Sequence, residues 1–132
     1  SFYAYSTQTQ YLGAQQPIMF DYTETNIGNC FNIQTGRFKA PVRGLYFFSG
    51  NIMAEPGHYL HIEVVKNGRR VSSIFAGKSA GTFDNNTGNA VINLLLQAGD
   101  EVWIRDQNDQ NGVAVVSRTY AMFSGFLISQ NV

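Results

Sequence analysis

Charge is scarce in this chain. Only 14% of its residues are charged, against about 25% in an ordinary globular domain. Nine basic residues balance nine acidic ones, so neither sign dominates. Generic DNA or RNA binding is excluded, because neutralising phosphates needs a basic excess. A polybasic membrane anchor is excluded for the same reason. The deficit also suggests that part of the surface is buried against other chains. Cysteine occurs once, at Cys30, so an intrachain disulfide is impossible. A small buried apolar residue is its expected role; an intermolecular disulfide or a reactive thiol is the alternative. Nothing basic stands beside Cys30 to lower its pKa. No transmembrane run and no signal or transit sequence is visible, so a processed product or an excised domain is expected. Helical periodicity is missing throughout.

What is present is aromatic and β-branched. Aromatics reach 14%, with ten phenylalanines and seven tyrosines, alongside 13 glycines. Short apolar runs punctuated by Gly, Asn and Asp read as strands at 2–6, 18–22, 30–33, 44–53, 59–66, 69–75, 90–97, 101–106, 113–116 and 119–129. That is the spacing of a sandwich or barrel, within one domain spanning residues 1–132. Asn67-Gly68 separates two of the runs. Both residues tolerate positive φ, as a two-residue type I′ hairpin turn requires. Ala98-Gly99-Asp100 is a second turn, leading into Val102-Trp103-Ile104.

The runs differ in pattern. Leu60, Ile62 and Val64 alternate with His61 and Glu63, so that strand is expected to face a core on one side and water on the other. Leu45-Tyr46-Phe47-Phe48, the run from Val91 to Leu96, and Tyr120-Ala121-Met122-Phe123 put apolar side chains on both faces. Strands apolar on both faces need a second dry neighbour, and a partner subunit is the simplest one.

Several segments in order carry a resemblance. They are Asn26-Ile27-Gly28-Asn29-Cys30-Phe31-Asn32, Thr35-Gly36-Arg37-Phe38 and Ala40-Pro41-Val42-Arg43-Gly44-Leu45-Tyr46-Phe47-Phe48. Val64-Val65-Lys66-Asn67-Gly68, Ala98-Gly99-Asp100-Glu101-Val102-Trp103-Ile104 and Phe123-Ser124-Gly125-Phe126-Leu127-Ile128 complete the set. Together they resemble the globular head of complement C1q, within the C1q/tumour-necrosis-factor-like superfamily. The resemblance implies an all-β, ten-strand jelly-roll sandwich that assembles as a compact trimer. It implies Tyr46, Phe48, Leu94, Leu96, Tyr120 and Met122 as interface side chains around the three-fold axis. It also implies a secreted, extracellular recognition module, most simply a stalkless innate-immune lectin of carbohydrate or microbial patterns. A receptor-binding ligand or synaptic or hormone-type organiser is the first alternative. A structural trimerisation head of a longer, collagen-like protein is the second, although no Gly-X-Y stretch is present.

Two departures stand out. Many members carry a cysteine where this chain has Ala40. Many also hold calcium near the trimer apex, using an acid that Asp84 matches and a second acidic stretch. Here that second stretch, 115–120, has no carboxylate and offers Arg118 instead. Calcium prefers several oxygen ligands, carboxylates among them. The calcium site is therefore incomplete, and no cofactor is expected.

Catalytic constellations are absent from the sequence. Gly77-Lys78-Ser79 ends like a phosphate loop but lacks the first glycine, where Ser72 stands. His58 and His61 would point to opposite faces of a strand and could not share a metal. No nucleophile elbow or Cys–His pairing is legible, so the chain is not read as an enzyme. Trp103 and Tyr46 are expected in the core. Asp106 and Asp109 flank a polar loop that reads as a solvated turn. Asn85-Asn86-Thr87 is a glycosylation sequon with Asn85 as acceptor. Ligand-binding candidates lie on the polar loops: Asp84, Asn85 and Asn86; Arg105, Asp106, Asn108 and Asp109; Arg118 and Tyr120.

Overall fold

The computed structural model describes residues 1–55, 58–77, 87–107, 114–116 and 121–132. Among these there are twelve strand segments and no helix. Ten of them build two antiparallel five-stranded sheets. The first sheet runs, edge to edge, β3 (Tyr22–Asn26), β1 (Phe2–Tyr5), β12 (Met122–Ser129), β6 (Gly44–Met53) and β9 (Thr87–Leu96). The second runs β4 (Phe31–Asn32), β5 (Arg37–Lys39), β10 (Glu101–Asp106), β7 (Tyr59–Lys66) and β8 (Arg69–Gly77). A separate pair joins β2 (Gln10–Leu12) to β11 (Ala114–Val116). Most connections pass from one sheet to the other, as in the jelly roll expected from the sequence.

The aromatic residues fill the space between the sheets. Phe2 stacks on Phe31 at 4.9 Å and meets the edge of Phe123 at 5.0 Å. Phe38 meets Phe48 edge-on at 5.1 Å. Each fully buried ring contributes about 1.5–3 kcal/mol over its exposed state. Gly125 is required by this packing, since a Cβ there would lie 2.6 Å from Phe48 Cδ1 and 2.9 Å from Phe2 Cε1.

Turn chemistry behaves as the sequence indicates. Asn67 and Gly68 take φ of 52° and 85°, and Lys66 faces Arg69 across the hairpin. The Asn67 amide donates to Asp100 Oδ1 at 3.0 Å, while Asn67 Oδ1 accepts from the Glu101 amide at 2.9 Å. Asp100 Oδ2 accepts from the Gln97 amide at 2.8 Å. The two turns are thereby locked together. The Gln97 amide, then the Asn67 side chain, hold the Asp100 carboxyl below its usual range.

Some strands fall elsewhere than expected. Residues 18–22 were read as a strand, but the strand is Tyr22–Asn26. Ile18 and Phe20 are fully buried nonetheless. Their backbone finds other partners: the Ile18 amide donates to Ile104 O at 2.8 Å. The Gln10 side-chain amide serves both Met19 backbone groups at 2.7 Å. Pro17 has no amide hydrogen to enter a full ladder. Strands β2 and β5 are three residues each, too short to leave a pattern. The starts of the runs expected at 113 and 119 lie outside the described residues.

The outer face of β7 is a correction. It was expected to be wet, but Val65 is fully buried and Glu63 is only 6% exposed. Glu63 accepts a hydrogen bond from Arg105 Nε at 2.7 Å, and the neighbouring strand β10 supplies that arginine. Both groups are largely withdrawn from water, which makes the pair worth more than a surface salt bridge.

Candidate functional site

Of the nine loop residues proposed to bind ligand, Asp84, Asn85, Asn86, Asn108, Asp109, Arg118 and Tyr120 lie outside the described residues. The calcium position at Asp84 and the glycosylation position at Asn85 lie there too. Arg105 and Asp106 are described, and the fold sends them apart. Arg105 faces outward, held by Glu63 and by its own donation to Gly68 O at 3.2 Å. Asp106 is 2% exposed and sits opposite inward-facing Ile62. Neighbouring strand residues point to opposite faces, so these two cannot converge on one ligand. Among the described residues, no three His, Cys, Asp or Glu side chains gather around a cation-sized space.

The interface residues divide by strand alternation. Tyr46, Phe48 and Leu96 are buried inside the chain's own sandwich, with 2%, 1% and 0% exposure. Leu94, opposite Tyr46, packs against the same core. These four side chains face the chain's own core. Met122 faces outward, between Tyr5 and Asn51. The outward register on β6 belongs to Leu45 and Phe47, and on β9 to Val91 and Leu95. Phe126 lies across from Phe47 with ring centroids 5.2 Å apart, and is 48% exposed; Val91 is 66% exposed. Toward the far edge, Tyr5 meets Tyr22 at 5.0 Å and Tyr3 at 5.9 Å. The five strands of this sheet carry one charged residue between them, Glu24. Desolvation, then the neighbouring Tyr22 and Glu24, raise the Tyr5 pKa. The outer surface of the first sheet is thus a broad aromatic and aliphatic face. The sequence signal for it was the unbroken apolar run 45–48, which could not say which alternate residues point out.

A second feature lies where the two sheets end. Strands β3 and β4 are the edges of their respective sheets, and residues 27–30 join them. Between them opens a cleft of about 360 Å³. Thr23, Asn26, Asn29, Asn32 and Gln34 line it with polar groups, Ile33 contributes an apolar wall, and Phe31 closes the base. Asn26 clamps the cleft: its Nδ2 donates to Phe31 O at 2.9 Å and its Oδ1 accepts from the Phe31 amide at 3.0 Å. Sequence reasoning passed over these residues. Their signal was the recurrence of amide side chains at 26, 29, 32 and 34.

A two-sheet jelly roll of this topology defines a class of protein, and solved structures share the fold. The globular domain of zebrafish complement 1qA superposes with a TM-score of 0.77 at 26% identity, over 98% of each chain. Eiger TNF from S. frugiperda gives a TM-score of 0.76 at 11% identity, over 99% of this chain and 93% of that one, a likeness of fold alone. The sequence profile of the C1q domain matches residues 1–128, and this chain belongs to the C1q domain family. Complement C1q tumor necrosis factor-related protein 3 of Mus musculus is 36% identical over 124 residues, covering 93% of this chain and 49% of the relative. Caprin-2 of Danio rerio is 33% identical over 120 residues, covering 88% of this chain and 12% of that protein. The chain thus spans about half the length of the first of these relatives.

Proposed function

We propose that this chain is a secreted recognition module that acts as a homotrimer and binds carbohydrate or another surface pattern, without catalysis. The observation that carries the reading is the outer face of the first sheet. Tyr3, Tyr22, Val91, Leu95, Phe126 and Ile128 all stand exposed on this sheet, an apolar load that favours burial against another molecule. A second and third copy of the chain are its natural cover, since closed homo-oligomers are the common solution. Membership of the C1q domain family supports the same reading. Three linked copies of a weak site raise avidity without any new contact. Light scattering tests the assembly and a glycan array tests the recognition. A monomer at every concentration sinks the first; an array at background sinks the second.

A protein receptor is the second reading, and a different surface favours it. Phe75 is 60% exposed on edge strand β8, beside His61 and on the same strand as Arg69 and Arg70. Aromatic and arginine side chains dominate protein–protein hot spots. One surface protein retained through washing, with no competition by sugars, supports this reading over the first.

A further inference from the structure

We propose that the cleft between edge strands β3 and β4 binds a neutral saccharide; this rests on the recognition reading and places it at a site. None of the residues lining the cleft carries a charge. Acidic sugars, phosphates and cations therefore have no counter-charge there. What the cleft offers is carboxamide and hydroxyl. A carboxamide both donates and accepts hydrogen bonds, and so does a sugar hydroxyl. Among the described residues, the side chains of Thr23, Asn29 and Gln34 have no hydrogen-bond partner, and Asn32 uses only its oxygen, accepting from the Gln34 amide at 2.8 Å. Ile33, 44% exposed, supplies an apolar contact for the C–H face of a sugar ring. The volume suits a small ligand, since such pockets span about 300–1,000 Å³.

The scaffold fixes the backbone that carries these groups. Asn26 ties the end of β3 to β4 through two hydrogen bonds. The turn after β4 is fixed by the Gly36 amide donating to Asn32 O at 2.9 Å. Preorganised groups lose less entropy on binding. Arg105 and Asp106, by contrast, are already engaged or buried and leave no polar site of this kind.

The intact chain, labelled with nitrogen-15, is titrated with galactose, mannose and N-acetylglucosamine, and with sialic acid as the acidic contrast. The neutral sugars are expected to shift the side-chain amide signals of Asn29, Asn32 and Gln34, and sialic acid to leave them in place. Gln34→Ala, which removes an exposed side chain that makes no hydrogen bond among the described residues, is expected to weaken binding about tenfold, and Asn32→Ala with it further. A glycoprotein carrying neutral glycans, tested before and after enzymatic deglycosylation, separates free from protein-linked sugar. Loss of retention on deglycosylation supports the site; unchanged retention overturns it. Sugar binding that persists in both variants, with shifts elsewhere, overturns the cleft and leaves the recognition reading standing. No sugar binding by the unaltered chain on any array overturns both.

Discussion

On the first sheet, five strands bring one charged side chain, Glu24. On the second, Arg37, Lys39, Glu63, Arg69, Arg70, Glu101 and Arg105 crowd an area of similar size. Both sheets bury the same kind of inner face, built from Phe, Leu, Ile and Val. Their outer faces solve different problems. The second sheet covers Trp103 with its own charged group: Arg37 lies 4.0 Å over the Trp103 ring and 3.5 Å from Glu101. Long charged side chains cover apolar surface with their stems while the heads stay wet. The first sheet has no such charged cover of its own, which is what the proposed assembly would supply.

That contrast can be broken by moving charge. If the proposed trimer forms through this face, Phe126→Asp together with Val91→Asp is expected to turn it into monomers. Burying two unpaired carboxylates costs about 3 kcal/mol or more per subunit, read as mass by light scattering. Ser73→Asp on the second sheet is expected to leave the mass unchanged; dissociation by that change alone would refute the division of labour between the sheets. Next in size is the buried pair. Glu63→Ala strands the Arg105 guanidinium and is expected to cost about 2–4 kcal/mol in urea unfolding. Replacing both partners with apolar residues recovers most of that loss, and a double variant as unstable as the single would show that packing, not charge, was removed.

Gly125→Ala sharpens the comparison from the inside. The added methyl must displace the Phe48 or Phe2 ring, with an expected loss of about 1–3 kcal/mol. The smallest effect is at Asp100. Its carboxyl is held below its ordinary value in the folded chain, so it contributes stability above the unfolded pKa, near 3.8, and loses it as pH falls through the folded value. Thermal unfolding of the wild type and of Asp100→Asn should differ at neutral pH and converge in acid. A gap that stays constant down to low pH would assign the turn's stability to shape alone.

Much of the fold was legible because it is local. The bounds of β6 and β10 follow directly from apolar runs closed by Gly and Asp. The Asn67-Gly68 turn follows from two residues that tolerate positive φ. The functional surface was less legible. The double-sided run on β6 pointed to an interface, yet its register was assigned to Tyr46 and Phe48 when Leu45 and Phe47 face out. Both alternations are equally apolar there, so hydropathy cannot choose between them. Arg105 and Asp106, the last residues of the strand read at 101–106, were grouped as one ligand site with the polar loop that follows, but alternation sends one out and one in.

The sequence by itself determined an all-β chain, its tight turns and the family to which it belongs. These follow from composition, period and short-range backbone preference, all of which are local. Only the tertiary structure decided which face of β6 is core, because that depends on Phe2 and Phe123 arriving from distant strands. Only it paired Glu63 with Arg105, 42 residues apart. Only it brought two sheet edges together to enclose an amide-lined cleft, since a cleft is made by the meeting of strands and not by any one of them.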